Sequence, residues 1–185
     1  AGHVRNVKPL DRESISVGMI AGRQKAREYL FALKKYLPKE FEAAHIVATA
    51  PLLGIRETRR IRGEYTITAE DYRLRRSFPD EIGRNSYAID LHDEKHFYKG
   101  INANEGYGRY TTGDSHGIPL RALIPRATDN LFVGGRSISC ERAVQSSLRI
   151  IPVCFVTGEA AGAATAVCAM KNKKSTDVYI SEIIR

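Results

Sequence analysis

Hydrophobic positions recur at helical spacing near the start of the chain. Between Ser16 and Leu37 they follow one another at steps of three and four residues. These apolar positions are Ala26, Tyr29, Leu30, Leu33, Tyr36 and Leu37. Such spacing places them on one face of an amphipathic α-helix. Because proline has no amide to donate inside a helix, Pro38 predicts where this helix ends.

The middle of the chain alternates between β-compatible runs and turns. Thr68, followed three residues later by Asp71, forms a capping pattern that predicts a short helix. The stretch from His92 to Gly117 is polar and glycine-rich, which predicts a lid or a long hairpin. The predicted strand segments are His45–Ala50, Gly54–Tyr72 with bends, and Ser86–Leu91.

The last third of the chain has the clearest pattern. We predict a strand over Ile118–Ile124 and a short buried strand over Leu131–Val133, followed by a pair of glycines. Pro152 suits the start of a helix, and we expect that helix to run to about Met170. Strand, glycine pair, loop and helix in this order predict a place where a ligand approaches the backbone.

The glycine pair and the start of the last helix give the clearest indication of a ligand-binding site. Gly134 and Gly135 remove side chains at the end of the predicted strand, where a ligand can come close. The first amides of the helix that begins at Pro152 have no partner within the helix, so they favour a negative charge placed before it. The small residues of this helix, among them Gly158 and Gly162, serve either a cofactor or tight packing equally well.

Composition narrows the class of protein. The 185 residues include 29 Lys and Arg against 21 Asp and Glu, a net charge of +8, and 43% are hydrophobic, which excludes a disordered chain. Cys140, Cys154 and Cys168 form no C-x-x-C pair, so we expect them to be reduced and mostly buried, and we favour a cytoplasmic location. Ile150–Met170 is the most apolar window, but it contains Pro152, a glutamate and many small residues. We therefore expect it to be too polar to span a membrane.

Charged residues suggest two further kinds of site. Alternate arginines of a strand share a face, so the Arg-rich run from Arg56 to Arg62 could bind an anionic substrate, although a solvated face paired with glutamates fits the same run. Arg56 and Arg59 are the candidates from this run. His92, His96 and His116 lack compact zinc spacing, so we expect no metal site and interpret them as surface loop histidines. His92 is a candidate acid or base.

Several established sequence motifs are missing. Gly106-Tyr107-Gly108 lacks the glycine spacing and the strand, turn and helix that a dinucleotide fingerprint requires. No nucleophile elbow is present. Nor do we find a nucleic-acid-binding module or aromatic residues interleaved with the basic ones, so nucleic acid is not an expected partner.

Three segments of the chain together resemble a known family. The segments are Gly54–Tyr65, Gly117–Ser139 and Ser147–Gly162, with Ile89–Asp93 as a shorter match. They resemble the C-terminal part of bacterial FAD-dependent oxidoreductases with the glutathione-reductase type of fold. The resemblance covers roughly Leu53 to Met170.

The resemblance implies an α/β (α+β) fragment in two parts. Residues 1–117 belong to a β-rich substrate or cap region with an N-terminal helix. Residues 118–185 form the C-terminal segment of a Rossmann-like FAD-binding domain whose N-terminal ADP-binding part is absent from this chain. The chain begins with Ala1, so a fragment is also our expectation from the sequence.

The resemblance also assigns cofactor contacts. Gly134, Gly135 and Arg136 lie beside the ribityl and pyrophosphate region of FAD, and many relatives carry an acidic residue where this chain has Arg136, a cation that suits a phosphate. Ile151, Pro152 and Val153 open the helix whose first amides face the flavin ring. Dithiol chemistry is not expected, because Cys140 has no redox partner.

Two functions remain open from the sequence. The first is a fragment of a flavin-dependent oxidoreductase that transfers a hydride between a small organic substrate, which its arginines suggest is anionic, and FAD. The missing N-terminal part of the same protein is then its main partner. The alternative is a non-catalytic basic binding or assembly module with a flavoprotein-derived fold, which predicts salt-sensitive binding of a polyanion.

Overall fold

A computed structural model describes residues 3–91 and 110–183 of the chain. The described residues divide into two compact units, with the boundary between Thr58 and Arg59. His92, His96 and the Gly106-Tyr107-Gly108 segment lie outside the described residues. The boundary between the units differs from the predicted division at residue 117. That division separates a substrate or cap region from an FAD-binding segment, and it stays a prediction.

The first unit is built on a long helix, α1 (Arg12–Tyr36). The carboxylate of Asp11 caps it by accepting a hydrogen bond from the amide of Glu13 at 3.1 Å. A four-residue helix, α2 (Pro38–Phe41), follows. The prediction that α1 ends before Pro38 is confirmed, and the same proline begins α2, where its missing amide costs no hydrogen bond. No strand forms over His45–Ala50.

The second unit mixes helices with a small sheet. Its regular elements are α3 (Ala69–Arg73), β1 (Glu81–Asn85), β2 (His116–Pro119), α4 (Arg142–Leu148) and α5 (Ile151–Lys171). Short 3-10 turns cover Leu120–Leu123, Gly135–Ser137, Ser175–Asp177 and Ile180–Glu182. This mixture agrees with an α/β fragment.

The sheet and the last two helices enclose the core. Strands β1 and β2 pair antiparallel, with Gly83 opposite Ile118 and Asn85 opposite His116. Both β2 and the turn after it are almost entirely buried, together with one stripe of α5. That stripe consists of Val153, Thr157, Ala160, Ala164 and Val167. One spacing of three or four residues thus fixes which side of α5 faces the core.

Most of the predicted strands are extended segments and not regular strands. Ile61 and Ile67 donate backbone hydrogen bonds to Ser137 and Ser139, but only isolated bridges form over Gly54–Tyr72. The strand predicted over Ser86–Leu91 is wrong, because β1 ends at Asn85. The prediction for Ile118–Ile124 holds only to Pro119, after which the chain turns.

The predicted buried strand Leu131–Val133 is also wrong. Leu131 is exposed and the segment has no strand pairing beyond the amide of Val133, which donates to the carbonyl of Leu123 at 2.8 Å. A strand needs a ladder on a neighbouring strand, and among the described residues this segment has a single bond.

Helix α5 corrects one expectation about membranes. It begins at Ile151, has Pro152 in its first turn and ends at Lys171, as the sequence predicts within one residue. By length and composition it is apolar enough to cross a bilayer, so the expectation that this segment is too polar is wrong. The same composition suits a helix that packs one stripe into a protein core, and α5 does so in this fold.

Candidate functional site

The glycine pair lies against the second turn of α5. Gly135 has a φ of +75°, a conformation that favours glycine, and its amide donates to the hydroxyl of Thr157 at 2.8 Å. A Cβ atom on Gly134 would lie 3.0 Å from the carbonyl oxygen of Thr157 and 3.2 Å from the Cα of Gly158. Close packing on the helix therefore favours glycine at position 134.

The first turn of α5 presents free amides. Its N-cap residue, Ile150, makes no side-chain capping bond, and no acidic residue occupies the first turn. Ile151 is exposed and Val153 is buried, so the turn has one side in the core and one open. Amides in a first turn have no partner within the helix, and the helix dipole adds to their attraction for negative charge.

A cavity of about 270 Å³ lies beside this helix start. One wall is formed by Ile150, Pro152, Val153 and Val156. The opposite wall is formed by Arg84, Asn85, Ser86 and Tyr87, at the end of β1. Two of the residues that the resemblance assigns to the cofactor, Pro152 and Val153, therefore line one cavity.

Asn85 fixes the β1 wall of the cavity. Its side chain is buried and donates from Nδ2 to the hydroxyl of Ser147 at 2.7 Å, while its Oδ1 accepts from the amide of Tyr87 at 3.2 Å. The Ser147 hydroxyl in turn donates to the carbonyl of Tyr87 at 2.6 Å. These bonds tie the segment after β1 to α4. The sequence offers no local signal for this role of Asn85.

The arginines are less organised than the sequence suggests. Arg136, in the turn next to Gly135, is exposed. Arg56 and Arg59 are also exposed, but no strand contains them and they belong to different compact units. No strand forms over residues 56–62, so the prediction that alternate arginines of this run share a strand face is wrong. The third substrate-side candidate, His92, lies outside the described residues.

His116 contradicts its assignment as a surface histidine. It is fully buried at the start of β2, where its ring lies 5.4 Å from that of Tyr72 and 5.9 Å from that of Tyr110, centroid to centroid. The Tyr110 hydroxyl and Nδ1 of His116 form a short hydrogen bond. The guanidinium of Arg75 covers the Tyr110 ring at 3.9 Å. No local sequence pattern indicated this burial.

Burial keeps both partners of this hydrogen bond neutral. Burial, together with the positive charges of Arg84 and Arg75, lowers the pKa of His116 to about 4, against a smaller opposing effect of Asp71. Burial also raises the pKa of the Tyr110 hydroxyl above its ordinary value. Near neutral pH the pair is therefore an uncharged imidazole and an uncharged phenol.

The cysteines and acidic residues offer no second site. Cys140 is buried, but Cys154 and Cys168 are partly exposed, so the expectation of mostly buried thiols is only partly correct. Among residues 3–91 and 110–183, no group of His, Cys, Asp and Glu side chains is arranged to hold a metal ion.

The features of α5 suit the group that the resemblance implies. Free first-turn amides beside a cavity, with a glycine turn packed on the next turn of the same helix, fit the ring end of a flavin. Searches of curated proteins and of solved structures gave no significant match. A family model described as FAD dependent oxidoreductase matches residues 1–185. The chain therefore belongs to the FAD-dependent oxidoreductase family, whose members bind FAD.

Proposed function

We propose that this chain carries the flavin-ring end of an enzyme that transfers a hydride between a small organic substrate and FAD. The observation that carries the proposal is the cavity between the first turn of α5 and the end of β1. FAD, when bound, accepts or returns the hydride and with it gains or loses negative charge. The remaining chemistry depends on what the protein places around it.

Helix α5 supplies the electrostatic part. The uncapped amides of Ile151 and Val153 favour negative charge at the cavity, because the helix dipole and the unpaired donors act in the same direction. Favouring that charge stabilises the reduced cofactor relative to the oxidised one. The glycine turn, fixed by the bond from Gly135 to Thr157, sets the distance between the loop and the helix.

The size of the cavity supports a shared site. Its volume of about 270 Å³ is near the lower end of pockets for drug-sized ligands, which span roughly 300–1,000 Å³. That space suits a ring system and not a whole dinucleotide. We therefore propose that an ADP-binding part, with the Gly-rich fingerprint that this sequence lacks, completes the site. The Rossmann-like fold and the fragment status of the chain belong to the same proposal.

The residues proposed to bind the substrate are chosen for their positive charge. Arg56, Arg59 and Arg136 are exposed cations that suit a carboxylate, or in the case of Arg136 a phosphate. His92 stays our candidate acid or base. A cytoplasmic location also stays a prediction. We find no feature among the described residues that favours the non-catalytic binding module.

A visible absorption spectrum of the purified full-length protein tests the cofactor. Oxidised flavin absorbs near 370 and about 450 nm by its own chemistry, and release on denaturation shows that it was bound without a covalent link. Both bands, bleached anaerobically by a substrate, are the expected result. A protein without these bands that also fails to take up added FAD would contradict the proposal.

A further inference from the structure

One aromatic residue stands partly uncovered at the cavity beside α5. Tyr87 lines this cavity together with Pro152 and Val153, and it is 44% exposed. Ligand cavities are lined mainly by apolar and aromatic side chains, and a tyrosine ring offers a large flat surface to a ligand. Tyr87 is therefore the residue of this cavity that is best suited to hold a flat group.

The backbone on both sides of Tyr87 is fixed. Its amide donates to Oδ1 of Asn85 at 3.2 Å, and its carbonyl accepts from the hydroxyl of Ser147 at 2.6 Å. Two residues further on, Ile89 is buried and its amide donates to the hydroxyl of Tyr72 at 3.3 Å. A tyrosine side chain has only two rotatable bonds, so a fixed backbone leaves its ring few positions. Little freedom is then lost when a ligand contacts the ring.

Strand β1 packs directly on α5 next to the cavity. A Cβ atom on Gly83 would lie 2.7 Å from Cγ1 of Val156, so strand and helix are in contact at this point. Val156 also lines the cavity, and so do residues 84–87, which follow Gly83. The contact between Gly83 and Val156 therefore fixes the spacing of the two walls at one end of the cavity.

The cavity offers no available cation. Of the described residues that line it, Arg84 alone is charged. Its guanidinium pairs with the carboxylate of Glu81 at 2.7 Å, and its other N–H groups donate to the hydroxyls of Ser77 and Ser115 and to backbone carbonyls. A guanidinium that is paired and has its donors in use does not attract a second anion. The walls therefore suit an uncharged group, and a carboxylate or phosphate of a ligand is bound elsewhere.

We propose that the ring of Tyr87 stacks on an uncharged planar ring in this cavity, and that this ring is the flavin of FAD. The inference rests on the proposed function, since it names the residue that holds the flavin ring in that site. It makes Tyr87 a cofactor-binding residue that takes no part in the hydride transfer. The adenine of FAD is also flat and uncharged, so the test has to distinguish the two rings.

Fluorescence of the FAD-loaded, full-length protein provides this distinction. A phenol in contact with an excited flavin donates an electron to it, and the return of that electron to the phenol quenches the fluorescence. A phenyl ring or an aliphatic side chain is much harder to oxidise and does not quench in this way. We expect a short flavin fluorescence lifetime in the parent protein and a longer one in both Tyr87→Phe and Tyr87→Leu. Stacking of Tyr87 on adenine would leave the flavin lifetime unchanged in both variants and would overturn the proposal.

The affinity for FAD separates the ring from the hydroxyl. Tyr87→Leu removes the stacked ring, and its affinity for FAD should fall by about two- to tenfold, the usual worth of an aromatic pair. Tyr87→Phe keeps the ring and should stay close to the parent. Tyr29→Leu, which replaces an exposed tyrosine of α1, is the matched control and should change neither lifetime nor affinity. Equal affinity in Tyr87→Leu and in the parent would contradict stacking.

The same measurements separate this inference from the proposed function. Parent protein without flavin bands that takes up no added FAD would contradict the proposed function itself. Parent protein that holds FAD, with the same lifetime and affinity in both Tyr87 variants, would contradict only the role of Tyr87. Chemical denaturation of each variant establishes that the fold is retained. Should Tyr87→Leu fail to fold, the flavin lifetime in Tyr87→Phe still decides whether the phenol contacts the flavin.

Discussion

The amide of Gly135 donates a hydrogen bond to the hydroxyl of Thr157 at 2.8 Å, and this bond joins the glycine turn to helix α5. The same hydroxyl donates back to the carbonyl of Val153 within the helix. Thr157 is fully buried, so its hydroxyl is the partner that a backbone amide outside the helix requires. A side chain in the second turn of the helix thus holds the loop that the resemblance assigns to FAD.

Replacing Thr157 by valine should destabilise the second unit. The change keeps the shape of the side chain but leaves the amide of Gly135 without its acceptor, at a cost of about 1–3 kcal/mol. Thr157→Ser keeps the acceptor and should lose less. Chemical denaturation of the two variants measures the difference, and equal loss in both would show that the hydrogen bond is not what matters.

Gly134→Ala should push the glycine turn away from α5. The added methyl group would lie 3.0 Å from the carbonyl oxygen of Thr157, and strain of this kind typically costs about 1–3 kcal/mol. We expect a lower melting temperature and weaker FAD retention. Gly162→Ala is the matched control, since a Cβ there meets nothing within 4 Å and alanine favours the helix. A control that loses as much stability would contradict the packing argument.

A negative charge at the start of α5 should lower the potential of bound flavin. Ile151 is exposed, and a carboxylate in Ile151→Glu would offset the positive end of the helix dipole. Ile151→Gln has a similar size without the charge, and Met170→Glu places the same charge at the other end of the helix. Dye-linked redox titration should show a more negative midpoint potential in Ile151→Glu alone. Identical midpoint potentials in all three variants would show that the start of α5 does not affect the charge on the flavin.

Acid should destabilise the protein through His116. Its pKa is about 4 in the folded chain and near 6.5 when unfolded, so the unfolded state binds more protons between these values. Stability contributed by the neutral imidazole is therefore present above pH 6.5 and is lost as pH falls, by roughly 3 kcal/mol at pH 4. Denaturation between pH 7 and pH 4 measures the slope. His116→Gln, which does not titrate, should show a shallower slope, and parallel slopes would refute the assignment.

Asp71 should be one of the least replaceable carboxylates of the second unit. It is 2% exposed, accepts from the Thr68 amide and hydroxyl at 2.9 Å, and pairs with Arg76 at 2.8 Å. Arg76 is 45% exposed, so the loss comes mainly from weakening the buried hydrogen bonds of Asp71, at about 1–3 kcal/mol. Asp71→Asn should therefore lower the melting temperature strongly. Glu70→Gln, next to it on an exposed pair with Arg73, should leave the melting temperature unchanged, and equal losses would contradict the role of burial.

The sequence by itself determined the elements whose causes are local. Helices α1 and α5 follow from apolar spacing and from prolines, and both end within a residue or two of the predicted limits. The capping box of Thr68 and Asp71 forms as predicted, because its hydrogen bonds join residues three positions apart. The glycine pair, predicted to share a site with the start of α5, packs on the second turn of that helix.

Only the tertiary structure decided what depends on distant partners. Within residues 3–91 and 110–183 the segment around Leu131 pairs with no strand, and strand pairing is a property of two segments. His116 is buried because Tyr72, Tyr110 and Arg75 close over it, which no local pattern encodes. Burial then keeps this histidine, which the sequence placed in a surface loop, as a neutral imidazole. Local hydrogen bonds and hydrophobic periodicity depend on residues that are close together in the sequence. Strand pairing, burial and the pKa shifts that burial causes arise only when distant segments of the chain pack together.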